Sequence, residues 1–186
     1  MQAVILGNAN SGKSSLLQTL TKAEPIISQI KMSTTLPTIG MMPFQGTQIQ
    51  LVENPAIDSE YYNRGLTHTA DTLILLINSL EEINQIEEKI KNQHQERIII
   101  FNNKQTLNQN QERKIRATLK SRYKKYPFEI LSLSSVENIG ETQTIKQLKE
   151  KIFNSFGKIR VFTKEPGKEK SPKPIILEQD STINKD

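Results

Sequence analysis

The stretch Ala3-Val4-Ile5-Leu6-Gly7-Asn8-Ala9-Asn10-Ser11-Gly12-Lys13-Ser14 decides how the rest of the chain is read. Its first four residues form a short apolar run of the kind that becomes a buried strand. The next eight fit G-x-x-x-x-G-K-[ST] in full, and Leu16, Leu17 and Leu20 then recur at helical spacing. A strand, a glycine-bounded loop and a helix in that order make an anion cradle. The glycines let backbone N–H groups turn inward, and the helix N-terminus adds its dipole. The expectation is a site for a nucleoside di- or triphosphate, lined by Asn8, Ala9, Asn10, Ser11, Gly12, Lys13, Ser14 and Ser15. Lys13 spans the β- and γ-phosphates in this reading, and the Ser14 hydroxyl ligates Mg²⁺.

Working outward, short apolar runs recur at Ile49–Val52, Leu73–Ile77, Ile98–Phe101 and Ile130–Leu133. Between them, Ile83, Ile86 and Ile90, then Ile115 and Leu119, then Ile145, Leu148 and Ile152 carry helical periodicity. Strands alternating with helices predict an α/β fold with a mostly parallel sheet covered on both faces. Ligands of such sheets sit beyond the carboxyl ends of the strands.

Composition narrows the function classes. The 186 residues leave room for one full domain and the beginning of a second, and 35% hydrophobic with 24% charged residues is ordinary for a globular protein. No cysteine is present, which excludes disulfide scaffolds, thiolate zinc sites and cysteine nucleophiles. The two histidines, His68 and His94, lie in different regions and read as surface or helix-end residues. No apolar run approaches the ~18 residues of a membrane span, and Met1-Gln2-Ala3 carries no basic region of a signal peptide, so an intracellular, cytoplasmic protein without a membrane partner is expected. A net charge of +5 favours RNA or another polyanion. Asparagine and glutamine are frequent, as in Asn102–Asn103 and Asn108–Gln111, and read as background composition.

After Phe156-Gly157 the texture changes. Lys158-Ile159-Arg160-Val161-Phe162-Thr163 alternates as a half-buried strand does, followed by turn-rich Glu165–Pro174 and by Ile175-Ile176-Leu177. These segments read as a short β hairpin, the opening of a second module, too small to build its own core. Either the chain is cut short there or the tail packs on the main domain.

Four stretches together resemble the Obg/DRG family of translation-factor-like GTPases. They are Asn10-Ser11-Gly12-Lys13-Ser14-Ser15-Leu16-Leu17; Ser33-Thr34-Thr35-Leu36-Pro37-Thr38-Ile39-Gly40-Met41-Met42-Pro43-Phe44; Ile49-Gln50-Leu51-Val52-Glu53-Asn54-Pro55-Ala56; and Ile159-Arg160-Val161-Phe162-Thr163-Lys164. The second is similar to the family's switch I region, the third stands where the family has a strand ending in D-x-P-G, and the fourth looks like the first strand of a TGS domain. The resemblance implies the P-loop NTPase three-layer sandwich, with a GTPase-like domain over 1–157 and a partial TGS-like segment over 158–186. By position, Thr35, with Thr34 as rival, is the switch I threonine that meets Mg²⁺ and the γ-phosphate. Glu53 matches the metal-side aspartate with one more methylene, and Ala56 replaces a glycine whose N–H would meet the γ-phosphate. Asn103-Lys104-Gln105-Thr106 stands for N-K-x-D, with Asn103 and Lys104 pinning the phosphate loop and stacking on the base. Thr106 lacks the carboxylate that selects guanine, a loss of ~1.5–3 kcal/mol of discrimination. Ser134 and Ser135 occupy the place of the family's S-A-x loop at the base.

In many GTPases a glutamine after the D-x-x-G glycine orients the attacking water; here that place is Ile57, as is usual in the Obg-like branch. Asn10 sits where several potassium-dependent relatives bind K⁺ with an asparagine. The resemblance therefore implies slow, Mg²⁺-dependent GTP hydrolysis stimulated by K⁺, in a switch that works near the ribosome or RNA. Two other readings stay open: a degenerate, non-catalytic nucleotide-binding scaffold, and a purine-nucleotide phosphatase of relaxed base specificity. The basic stretch Lys120–Tyr126 suits the last turn of a helix, or a polyanion contact. Lys164, Lys168, Lys170 and Lys173 make the C-terminal turn basic as well.

Overall fold

The computed structural model describes residues 1–21, 36–103, 107–133 and 142–181. Six strands form the main sheet: β1 (Gln2–Leu6), β2 (Thr38–Phe44), β3 (Thr47–Glu53), β4 (Thr72–Ile77), β5 (Glu96–Asn102) and β6 (Phe128–Leu131). Their order is β2-β3-β1-β4-β5-β6, parallel throughout except for β2, which runs antiparallel to β3 at the edge. The helices are α1 (Lys13–Thr21), α2 (Arg64–Thr69), α3 (Glu81–Lys89), α4 (Gln109–Arg122) and α5 (Gln143–Asn154). Strands β7 (Lys158–Val161) and β8 (Ile175–Glu178) pair antiparallel as a separate ribbon.

Side-chain alternation along each strand splits the core into two clusters. Ala3 and Ile5 of β1 join Leu16, Leu20, Leu148 and Ile152 of α1 and α5. Val4 and Leu6 face the other way and join Ile83 and Ile86 of α3 and Leu119 of α4. This is the expected three-layer α/β sandwich, because a parallel strand covered on both faces must be apolar at every position.

Three details differ from the sequence reading. Residues 38–44 form edge strand β2, within the stretch that the resemblance assigns to the switch I region. Strand β6 ends at Leu131, so Leu133 enters the core from beyond it. A short helix, α2, interrupts the segment after β3. The β7–β8 ribbon lies against the main domain. Arg160 lies 4.9 Å from the Phe44 ring and 5.0 Å from Phe153, two rings that stack with centroids 5.2 Å apart. Its guanidinium also donates to Gln45 in the β2–β3 turn. Ile176 rests against the α1/α5 cluster.

Candidate functional site

The sheet order reverses at β1, whose neighbours β3 and β4 lead to opposite sides, and the glycine-bounded loop leaves the carboxyl end of that strand. Such a reversal is where open α/β sheets hold ligands. The loop's shape depends on two glycines. A Cβ at Gly7 would lie 2.5 Å from the Leu76 carbonyl oxygen, so the loop and β4 approach too closely for a side chain. Gly12 has φ of +101° and would meet the Asn102 amide at 2.6 Å. Asn10 takes the left-handed conformation at φ +57°, which asparagine tolerates better than most residues.

Lys13 opens α1 and is almost wholly buried, yet its ammonium is well partnered. Nζ donates to the carbonyl oxygens of Asn8 at 2.9 Å and Gly7 at 3.2 Å, which bends the side chain back over the loop. Ser14 follows on α1, and its hydroxyl donates to Glu53 Oε1 at 2.7 Å. Glu53 ends β3 and is only 3% exposed. The antiparallel register sets Thr38, the first residue of β2, opposite it. Lysine, hydroxyl and carboxylate thus come together from the sequence-distant β1–α1 loop and β3. The pair Ser14–Glu53 offers hard oxygen donors of the kind Mg²⁺ takes, so the residues present fit that ion.

The segment after Glu53 is tightly held. Asn54 is fully buried; its amide donates to the Asn63 carbonyl at 2.8 Å and Thr67 Oγ1 at 3.2 Å, and its Oδ1 accepts from Asn63 N at 3.1 Å. Asn63 in turn caps α2, accepting from Leu66 N at 3.1 Å. Tyr62 bonds Thr67 at 2.8 Å, and burial pushes its hydroxyl pKa above the ordinary tyrosine value. Ile57 is 3% exposed within the α3/α4 cluster, its N–H donates to the Gly7 carbonyl at 3.2 Å, and its own carbonyl accepts from Lys89 Nζ at 2.8 Å.

On the β5 side, the loop is pinned by a residue that the sequence reading does not single out. Asn102 donates to the Ser11 carbonyl at 2.9 Å and accepts from Leu133 N at 3.2 Å, while Asn78 donates to the Asn102 carbonyl at 3.0 Å. Asn103 continues the strand with its N–H on the Leu131 carbonyl at 2.7 Å. Of the sequence-derived site residues, 8–15 form the loop and the start of α1 and Glu53 bonds Ser14, while Asn103 is held to Leu131 and the contact with the loop is made by its neighbour Asn102. Thr34, Thr35, Lys104, Thr106, Ser134 and Ser135 lie outside the described residues. The signal that could have found Asn54, Asn78 and Asn102 is an amide placed at the last residue of a buried strand or just past it, where one side chain can both donate and accept.

Residues 2–104, more than half of the chain, match the family described as 50S ribosome-binding GTPase. The chain belongs to that family. Its members are GTPase domains, and the G-x-x-x-x-G-K-[ST] loop described above falls within the matched residues. The GTPase Obg of Pelagibacter ubique (strain HTCC1062) is 27% identical over 160 residues, covering 76% of this chain and 48% of that protein. The chain thus spans about half the length of that relative. Among solved structures, Era in complex with MgGDPNP and nucleotides 1506–1542 of 16S ribosomal RNA superposes with a TM-score of 0.63 at 18% identity, over 83% of this chain and 56% of that one. The G domain of the T. maritima FeoB iron transporter gives 0.59 at 20% identity, over 83% of this chain and 98% of that one. Both likenesses concern the fold of a GTPase domain. Among the described residues, no helix is long and apolar enough to cross a membrane.

Proposed function

We propose that this GTPase-family chain binds guanine nucleotide with Mg²⁺, hydrolyses GTP slowly and serves as a switch associated with the ribosome or RNA. The observation that carries the proposal is the 2.7 Å contact between Ser14 and Glu53 beside the loop that Lys13 closes. Lys13 exchanges its two carbonyl partners for β- and γ-phosphate oxygens when nucleotide enters, and the loop N–H groups take the remaining phosphate charge. Ser14 and Glu53 hold the metal side, with Thr35 as the switch I hydroxyl. Mg²⁺ bound there neutralises charge on the β- and γ-phosphates. Asn103 and Lys104 flank the base, Thr106 in place of a carboxylate loosens the preference for guanine, and Ser134-Ser135 complete that side.

Slowness follows from Ile57. Its side chain is buried, its N–H is engaged by Gly7 and its carbonyl by Lys89, so it presents no group to an attacking water. Asn10, exposed on the loop, supports K⁺ as the stimulating ion. Residues 158–186 act as part of a TGS-like second unit in this reading. Its support is that Ile159, Phe162 and Ile175 of this segment are apolar and exposed.

A second reading is favoured by the hold on residues 54–57. Three hydrogen bonds by the Asn54 side chain and the Lys89 clamp describe a fixed scaffold better than a moving switch. Calorimetry of the chain with GDP, GTP and ATP at millimolar Mg²⁺, together with a phosphate-release assay, decides. Guanine preference with slow release supports the GTPase; comparable affinities mean a relaxed purine-nucleotide phosphatase; binding without release leaves the scaffold. Lys13→Ala is expected to abolish nucleotide binding.

A further inference from the structure

Helix α4 and the turn behind it, residues 109–126, hold seven lysines and arginines against one carboxylate. That excess of six exceeds the net +5 of the entire chain, so the rest of the protein is nearly neutral and its positive field is concentrated here. The single carboxylate, Glu112, pairs with Arg116 at 2.9 Å within the helix. Arg113, Lys114, Lys120, Arg122, Lys124 and Lys125 are exposed.

The helix dipole accounts for cations in the last turn, Lys120 and Arg122, but gives nothing to Arg113 and Lys114 near the amino-terminal end. Positions 113, 116 and 120 follow the i, i+3, i+7 spacing of one ridge, about 10 Å long on a helical rise, and Lys124 and Lys125 extend the basic stretch into the turn behind the helix. The apolar side of α4 is used up against the sheet, with Leu119 fully buried. None of the exposed large hydrophobic side chains falls between 109 and 126 among the described residues, so the helix has no apolar face to offer a membrane. Nor is there an exposed ring for unpaired bases to stack on. Tyr123 is half-buried with its hydroxyl on Asn84 at 2.9 Å, and Tyr126 is half-buried beside Arg97. The basic hairpin is a weaker rival, since residues 158–178 set three carboxylates against six cations, and Lys158–Glu178 and Lys168–Glu165 are ion-paired.

We propose that the exposed face of α4 docks on the phosphate backbone of double-stranded RNA. The proposal rests on the RNA association given under the proposed function and is independent of nucleotide hydrolysis. With about four phosphate contacts, affinity for a short RNA duplex falls about 100-fold between about 50 and 200 mM salt.

The test measures duplex RNA binding by fluorescence anisotropy across that salt range for the full chain, for Lys114→Gln/Lys120→Gln/Lys124→Gln/Lys125→Gln, and for Lys164→Gln/Lys170→Gln/Lys173→Gln. GDP titration is run on each protein. The α4 variant is expected to bind RNA at least about tenfold more weakly with a flattened salt slope, at unchanged GDP affinity. If it fails to fold, Lys124→Gln/Lys125→Gln, outside the helix, is expected to lower the slope by about 2. Undiminished RNA binding by the α4 variants, loss confined to the hairpin variant, binding of anionic phosphatidylserine vesicles in place of RNA, or no binding by the parent chain each overturns the proposal. Salt-sensitive RNA binding at α4 in a chain that ignores GDP and GTP overturns the GTPase reading and leaves this one standing.

Discussion

At the scale of single residues, the site joins partners through side chains that do two jobs at once. Glu53 accepts the Ser14 hydroxyl from a buried position, so one carboxylate ties β3 to the start of α1. Glu53→Gln keeps the shape and removes the charge. It is expected to raise the Mg²⁺ concentration needed for half-maximal GDP binding about tenfold, the worth of one charge-assisted contact; an unchanged Mg²⁺ requirement would remove Glu53 from the metal shell. Asn102 joins the Ser11 carbonyl to the Leu133 amide. Asn102→Ala strands both buried groups and is expected to cost about 1–3 kcal/mol in urea unfolding. At Thr106, the chemistry of the base predicts that Thr106→Asp raises the GTP-over-ATP affinity ratio about ten- to a hundredfold in competition calorimetry. The phosphate loop was legible residue by residue because its pattern is set by backbone geometry that few sequences satisfy. The clamps were not. Asn102 and Asn108 were read as compositional background, yet Asn102 bridges the loop and Asn108 forms a capping box with Gln111 on α4. An amide's role depends on which chain ends the fold brings to it, and that is not local information.

At the scale of elements, legibility followed burial. Strands β1, β4 and β5 are covered on both faces and so read as unbroken apolar runs. Strand β2 is an edge, with Ile39 and Met41 exposed and Pro43 within it, so its pattern does not separate from a loop. Helix α2 has six residues, too few to show a period, and is held by the Asn63 cap and the Asn54 network. Helix α3 makes a prediction about pH. Glu81 begins it, and its carboxyl is held below the usual carboxylate range by a hydrogen bond from its own backbone N–H and then by the Ser79 hydroxyl. A carboxyl lowered in the folded state stabilises the fold above its unfolded pKa and loses that contribution as pH falls through the folded one. Glu81→Gln is therefore expected to lower the urea midpoint at pH 7, with the gap to the parent chain closing below about pH 4. A gap that stays constant with pH would mean that the charge at this helix start does not act on stability.

At the scale of the whole molecule, the two core clusters are closed by α1, α3, α4 and α5, and the β7–β8 ribbon is added to one end of the first cluster. Its attachment is specific: Arg160 covers the stacked rings of Phe44 and Phe153, Pro172 and Pro174 sit against Gly46 in the β2–β3 turn, and Ile176 reaches the cluster. The β2–β3 hairpin carries Glu53 at its far end, so the ribbon bears on the element that delivers this carboxylate to Ser14. Removing residues 158–186 leaves both clusters complete, and the remaining domain is expected to fold. The same deletion uncovers part of Phe44 and Phe153 and removes two cation–π contacts, which predicts a loss of about 2 kcal/mol in urea unfolding. Arg160→Ala keeps the ribbon and removes only the cation, so it is expected to account for about half of that loss. If the deletion leaves the unfolding midpoint where it was, the ribbon is a passenger and cannot influence the β2–β3 hairpin. If it lowers the midpoint and also shifts the Mg²⁺ dependence of GDP binding, the ribbon and the nucleotide site are linked, and the β2–β3 hairpin that Arg160 and Pro174 touch is a route between them.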